Sequence, residues 1–379
     1  MYFDYAAATP VDPKVMKVMT PFFSEKFYNP SAIYLDGRSV KSHLELARQK
    51  VASTIGATPG EIIFTAGATE ANNLVILGTS WKNPKNKILI SAIEHSSVME
   101  PASKTISDQI PVTPKGILDT DKLSRMIDDS VVLVSVMYAN NELGTIQPIK
   151  EIASIVKKVR EDRLSRSIKT PILFHTDASS AGNYLDISVS RLGVDLMTLS
   201  AGKTYGPKQS GCLYMKAGVS LEPIIYGGDQ EFGLRSGTQN TAFAVGFAEA
   251  LSLAVKKRQS ETRRLIDIRD EFQKQIQENY PKINLTVANS PRLPNFIHFS
   301  LSGIDGETAV MMLDEMGIQI ATGAACGVLK DGQNHVLSAI GLDETSASNS
   351  VRISMGRFTT RDDVKKLLSA IAKIIEDKS

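Results

Sequence analysis

From about residue 60 to 215, short apolar runs alternate with longer amphipathic stretches, and this alternation constrains the fold more than any other feature of the chain. Glu61–Phe64, Ile88–Ser91, Val131–Val136, Ile172–Thr176 and Leu196–Ser200 are apolar almost throughout, the pattern of strands buried on both faces. Between two of them, Ile149, Ile152, Ile155, Val156 and Val159 recur at helical spacing. Strands alternating with helices predict a mostly parallel sheet between helical layers, an α/β fold.

Past about residue 250 the texture changes. Leu265, Ile268, Phe272 and Ile276 mark one face of a long charged helix that stops before Pro281 and links this sheet to the C-terminal part of the chain. That part is a smaller α+β unit, with strand-like Phe296–Leu301 and Val351–Ser354. It ends in a helix opened by Thr360-Arg361-Asp362-Asp363, a capping-box pattern, with the apolar stripe Val364, Leu367, Leu368, Ile371, Ile374 and Ile375. At 379 residues, two domains are the first expectation: a large domain over 16–250, and a small one made of 1–15 and 251–379.

A hydrophobic content of 42%, a charged content of 22% and the lack of any long apolar run predict no membrane span. The net charge of +2 is built from interleaved acids and bases, which argues against a nucleic-acid partner. The first residues form neither a basic-apolar signal nor an Arg-rich leader, so a cytoplasmic location is expected. The two cysteines, Cys212 and Cys326, are too few for a disulfide scaffold.

In open α/β sheets, ligands bind beyond the carboxyl ends of the strands. The first such end carries Thr65-Ala66-Gly67-Ala68-Thr69-Glu70, small residues at a strand-to-helix turn that suit a phosphate as well as plain tight packing. Ile172–Thr176 delivers Asp177, either a loop acid or a partner for a protonated pyridine nitrogen. Leu196–Ser200 delivers Lys203, and a lysine just beyond a buried strand is unusual because a desolvated ammonium is costly. Cys212 lies in an apolar run and reads as a small core residue, whereas Cys326 lies among Gly323, Ala324, Ala325 and Gly327 in a polar loop. His335 has no further ligands near it in sequence, so no metal site is expected.

In order, Ala68-Thr69, Glu94-His95, Asn140-Asn141-Glu142, Asp177, Ser200 to Lys203, and Arg235-Ser236-Gly237-Thr238 resemble the fold-type-I pyridoxal-phosphate enzymes, in the cysteine desulfurase subgroup that supplies sulfur for iron-sulfur clusters. The likeness extends from Asp4-Tyr5-Ala6-Ala7 and Asn29-Pro30 to Arg352 and Gly356-Arg357-Phe358-Thr359-Thr360.

The resemblance implies pyridoxal 5'-phosphate as cofactor, L-cysteine as substrate, and L-alanine with a persulfide on Cys326 as products. It assigns covalent attachment of the cofactor and proton abstraction to Lys203, pairing with the ring nitrogen to Asp177 and ring stacking to His95, so that Lys203, Cys326 and His95 form the catalytic set. Ala68, Thr69 and Ser200 fall at its phosphate positions, and Asn141 near the cofactor's phenolic oxygen and the substrate. Arg352, assisted by Asn29, falls at the substrate-carboxylate position, and Thr238 at one that reaches the partner subunit's cofactor, which implies a homodimer. A sulfur-acceptor protein is the further implied partner.

Two positions depart from the family pattern: Gly202 stands where it has His before the lysine, and Ser180 where it has Gln. A selenocysteine lyase, another enzyme of the same fold type, or a non-catalytic sulfur-relay subunit are the competing expectations.

Overall fold

The computed structural model describes residues 1–80, 85–281, 283–323 and 334–377. Eleven strands are formed among them: β1 (Ile62–Thr65), β2 (Lys87–Ser91), β3 (Ile106–Ile110), β4 (Val131–Ser135), β5 (Leu173–Asp177), β6 (Leu196–Ser200), β7 (Gly211–Met215), β8 (Asn284–Leu285), β9 (Phe296–Ser300), β10 (Ala321–Thr322) and β11 (Ser350–Ser354).

β1 to β7 form one sheet in the order β1-β7-β6-β5-β4-β2-β3. The pairs among β3, β2, β4, β5 and β6 are parallel, and β7 runs antiparallel to both of its neighbours, β6 and β1. The expected α/β sheet is therefore present. Period-two alternation distributes its side chains to two cores: Ile62, Phe64, Leu89 and Val134 pack into one, Ile63, Ile88, Ile90 and Leu133 into the other. Helices Leu35–Ile55 and Ile149–Ser165 cover the first face, and helix Ala68–Ser80 covers the second.

The five strands expected in this sheet are found with ends shifted by at most one residue. β3 falls outside the expected set, because it is an edge strand with only Ile110 buried and so has no apolar run. β7 falls outside it too, although four of its five residues are buried.

The helix Thr241–Asn279 serves both sheets. Ala244, Phe247, Ala248 and Leu251 join the core of the large sheet, whereas Leu265, Ile268, Phe272 and Ile276 join that of the small one. The small sheet is antiparallel, in the order β10-β11-β9-β8. The C-terminal helix Arg361–Asp377 begins with the expected capping box: Asp363 N–H donates to Thr360 Oγ1 at 3.1 Å, and Thr360 N–H donates back to Asp363 Oδ2 at 2.9 Å.

The N-terminal segment stitches the two sheets together. Asp4 bridges to Ser354 of β11, Thr9 Oγ1 donates to Gly202 O at 2.9 Å, and Asp12 N–H donates to Tyr205 O at 2.9 Å. Among the described residues no helix is long and apolar enough to cross a membrane.

Candidate active site

The carboxyl ends of β1, β2, β4, β5 and β6 open on one cavity of about 340 Å³, closed on its far side by the N-terminal segment and β11. The walls bring together Ala68, Thr69, His95, Asn141, Asp177, Ser180, Ser200, Lys203 and Arg352, residues spread over most of the chain.

At the end of β1 the chain turns through Gly67, whose φ of +99° suits glycine, and enters the helix Ala68–Ser80. This helix presents its amino end to the cavity at Ala68 and Thr69, so backbone N–H groups and the helix dipole favour an anion there.

Asp177 ends β5 and is 6% exposed. Its Oδ2 accepts from Asn72 Nδ2 at 2.7 Å and its Oδ1 from the Ser179 N–H at 2.9 Å. On the same strand, His175 lies between Ser135 Oγ at 2.8 Å and Thr198 Oγ1 at 3.0 Å, and burial lowers its pKa to about 4.

His95 caps the helix Ser96–Ala102, its Nδ1 accepting from Ser97 N–H at 3.1 Å. Burial lowers its pKa, with Asp177 opposing. The neighbouring Glu94 is fully buried, one carboxylate oxygen accepting from Met137 N–H at 2.6 Å, and burial holds its pKa well above the usual carboxylate range.

Lys203 closes the turn Ala201–Lys203 after β6, and its ammonium donates to the carbonyls of Ala6 and Ala7. Gly202 directs its carbonyl to Thr9, and a Cβ added there would meet Lys208 at 3.7 Å, ordinary contact distance. Arg352, on β11, is 2% exposed, pairs with Asp4 at 2.7 Å and donates to Asn141 O at 3.0 Å.

Three expected site residues, Asn29, Thr238 and Gly202, are absent from the cavity wall. Asn29 is exposed and absent from the cavity wall, its side chain accepting from Ser31 N–H at 2.9 Å in a local turn. Thr238 lines an adjoining cavity of about 260 Å³ that shares Ala66 and Gln209 with the first. Cys326 lies outside the described residues. Cys212 is fully buried, and burial drives its thiol pKa far upward. His335 Nε2 lies 2.8 Å from Glu94 O.

Asn72 and Ser97 escape sequence reasoning, and Asp4 enters it only within a matching segment, without a role. Asn72 carries one usable signal, an amide on the helix that follows the phosphate-like turn, and it is fully buried.

The residues present fit pyridoxal phosphate: an anion-favouring helix terminus, a buried carboxylate able to face a pyridinium, an imidazole on the wall and a lysine amine reach the same cavity. The class-V aminotransferase family matches residues 1–367. Cysteine desulfurase IscS of Dictyoglomus turgidum is 39% identical over 383 residues, covering 99% of this chain and 94% of that protein. Cysteine desulfurase IscS 1 of Archaeoglobus fulgidus is 39% identical over 386 residues, covering 99% and 97%. Among solved structures, a NifS-like protein superposes with a TM-score of 0.91 at 33% identity, covering 99% of both chains. SspA in complex with cysteine gives 0.79 at 30% identity, covering 95% of this chain and 99% of that one. The chain belongs to the cysteine desulfurase family, whose enzymes depend on pyridoxal phosphate.

Proposed function

We propose that this chain removes sulfur from L-cysteine, with Lys203, Asp177, His95, Asn141 and Arg352 acting around one cofactor and Cys326 receiving the sulfur. The observation that carries the residue assignment is the convergence of Lys203, Asp177, His95 and the amino end of helix Ala68–Ser80 on one cavity.

Ala68, Thr69 and Ser200 hold the phosphate, and Asp177 pairs with the pyridine nitrogen. When bound, pyridoxal phosphate supplies the electron sink that makes the Cα proton of an amino acid removable. Lys203 takes that proton at Nζ, Arg352 offers its guanidinium to the α-carboxylate, and His95 covers the ring. The Cys326 thiolate attacks the substrate's sulfur: the new S–S bond forms, the Cβ–S bond breaks with its electron pair moving to carbon, and protonation leaves alanine. An ordinary thiol, with a pKa of roughly 8.5, is only partly ionised near neutrality, so Cys326 calls for local activation.

We assign 16–250 to the cofactor domain, and 1–15 with 251–379 to the small domain. The two cores reached by the halves of helix Thr241–Asn279 support this division. A homodimer is part of the proposal. Thr238 lines a cavity next to its own chain's site, and the exposed Phe27, Ile33, Leu35, Tyr226 and Phe232 form apolar surface for a second copy to cover. The sulfur acceptor is a second protein, such as an iron-sulfur cluster scaffold or a tRNA-thiolation protein.

The deciding experiment measures alanine and protein-bound persulfide from L-cysteine, with and without a thiol reductant, alongside light scattering. Stoichiometric alanine, persulfide on Cys326 and a dimer are expected. Pyruvate with free sulfide would instead mark an elimination enzyme, and a fully active monomer would remove the homodimer from the proposal.

A further inference from the structure

Two side chains of the proposed site, His95 and Asp177, are joined by a buried chain of hydrogen bonds whose directions can be deduced in full. The joining residues are Asn72, which is fully buried, and Ser97, which is 6% exposed.

Asp177 fixes the first direction. An ionised carboxylate only accepts hydrogen bonds, so the Asn72 atom 2.7 Å from Asp177 Oδ2 is the amide nitrogen, and the flip of the amide is fixed. The same nitrogen lies 2.8 Å from Ser97 Oγ, which therefore accepts its second hydrogen. Ser97 must direct its own hydroxyl proton elsewhere, and His95 Nδ1 stands 2.9 Å away. Ser97 also donates its backbone N–H to the same Nδ1 at 3.1 Å. With two donors aimed at it, Nδ1 carries a lone pair. Nε2 then holds the ring proton, and among the described residues no hydrogen-bond acceptor takes it. Among the described residues Asn72 Oδ1 is left buried without a partner, the cost of turning both amide hydrogens to this chain.

We propose that Asn72 and Ser97 are positioning residues that hold His95 as the neutral tautomer with its proton on Nε2, and that tie this tautomer to the ionised form of Asp177. One carboxylate would then act twice: directly on the ring nitrogen it is proposed to pair with, and through two intervening side chains on the imidazole of the same site. His95 thereby presents a hydrogen-bond donor to the cavity whenever Asp177 is charged. The proposal rests on the roles given above to His95 and Asp177, but its geometry does not depend on turnover.

Solid-state ¹⁵N NMR of the full-length holoenzyme, labelled only in its five histidines, tests it, with the His95 signals identified by their loss in His95→Gln. An unprotonated Nδ1 and a protonated Nε2 are expected. The charged or titratable groups acting on this ring are Asp177, Lys203 and His335. Hydrogen bonds donated to Nδ1 favour the neutral ring, so removing one raises its protonation midpoint. Ser97→Ala should raise the His95 midpoint by about half to one pH unit, and Ser97→Thr, which keeps the hydroxyl, should restore it. Asn72→Leu should move it in the same direction, and the double variant no further than the larger single effect.

A wild-type ring protonated on Nδ1 overturns the proposal. So do midpoints in Ser97→Ala and Asn72→Leu equal to that of the wild type. If Asn72→Leu does not fold, the Ser97→Ala and Ser97→Thr pair decides alone. Failure of the wild type to form alanine would overturn the proposed function while leaving the nitrogen signals to be read on their own.

Discussion

Asp4 and Arg352 lie 348 positions apart in sequence and form an ion pair of 2.7 Å. The Arg352 side chain is 2% exposed and that of Asp4 20%, so the pair sits at the boundary between protein interior and cavity. The residue proposed to bind the substrate's carboxylate already has a carboxylate beside it. Its Nη1 is committed to Asn141 O, and its buried Nε has no partner among the described residues.

Removing the Asp4 charge leaves Arg352 as an uncompensated buried cation. Asp4→Asn should destabilise the unliganded protein by about 2 kcal/mol, below the range for a fully buried pair because Asp4 is partly solvated. A bound carboxylate would supply the missing charge. Adding L-alanine should therefore raise the unfolding midpoint more in Asp4→Asn than in the wild type. Equal responses in denaturant titrations would separate Arg352 from carboxylate binding.

Lys203→Ala should abolish the visible absorbance of protein-bound cofactor. Lys203 lines the cavity that holds Asp177, whereas Lys208, five positions on in the same segment, is exposed. Lys208→Ala should keep the absorbance. The reverse pattern in the two spectra would transfer the assignment.

The large sheet was legible because its strands are buried on both faces, which leaves uninterrupted apolar runs. Polar residues directly after such runs, Asp177 and Lys203 above all, stood out because a desolvated charge needs a reason. The features hidden from the sequence depend on partners brought in from elsewhere. Arg48 looks like an ordinary helix residue, yet it is buried against Glu231 at 2.7 Å, and Glu231 also accepts from the Phe64 N–H at 2.8 Å. Asn72 and Ser97 acquire their significance only through Asp177 and His95. The edge strand β3 escaped because it has no core face to impose alternation.

The two cysteines should differ sharply in reactivity. Cys212 is fully buried with its thiol pKa driven far upward, so at neutral pH it is an un-ionised core group. A thiol reagent should titrate one cysteine in the native protein and both after denaturation. Cys326→Ser should lose persulfide formation and keep the cofactor, whereas Cys212→Ser should keep both. Loss of persulfide in Cys212→Ser with retention in Cys326→Ser would reverse the roles.

Gly202 and Ser180 allow the site to be completed toward the family pattern. A Cβ at Gly202 would meet Lys208 at 3.7 Å and Ser200 Oγ at 4.0 Å, ordinary contact distances, so the first atom of a side chain is accommodated there. Ser180 already lines the cavity that Asp177 also lines. A hydrogen bond to a charged group contributes on the order of 1.5–3 kcal/mol, which corresponds to roughly tenfold or more in affinity. Gly202→His combined with Ser180→Gln should therefore slow the loss of pyridoxal phosphate on dialysis and lower its dissociation constant about tenfold. Catalytic turnover at saturating cofactor should change far less, because neither position supplies a group that moves a proton or attacks sulfur. Equilibrium dialysis of parent and double variant decides the matter. Unchanged or weaker binding would mean that the pocket is already closed around its smaller residues, and that the added side chains displace contacts rather than supply missing ones.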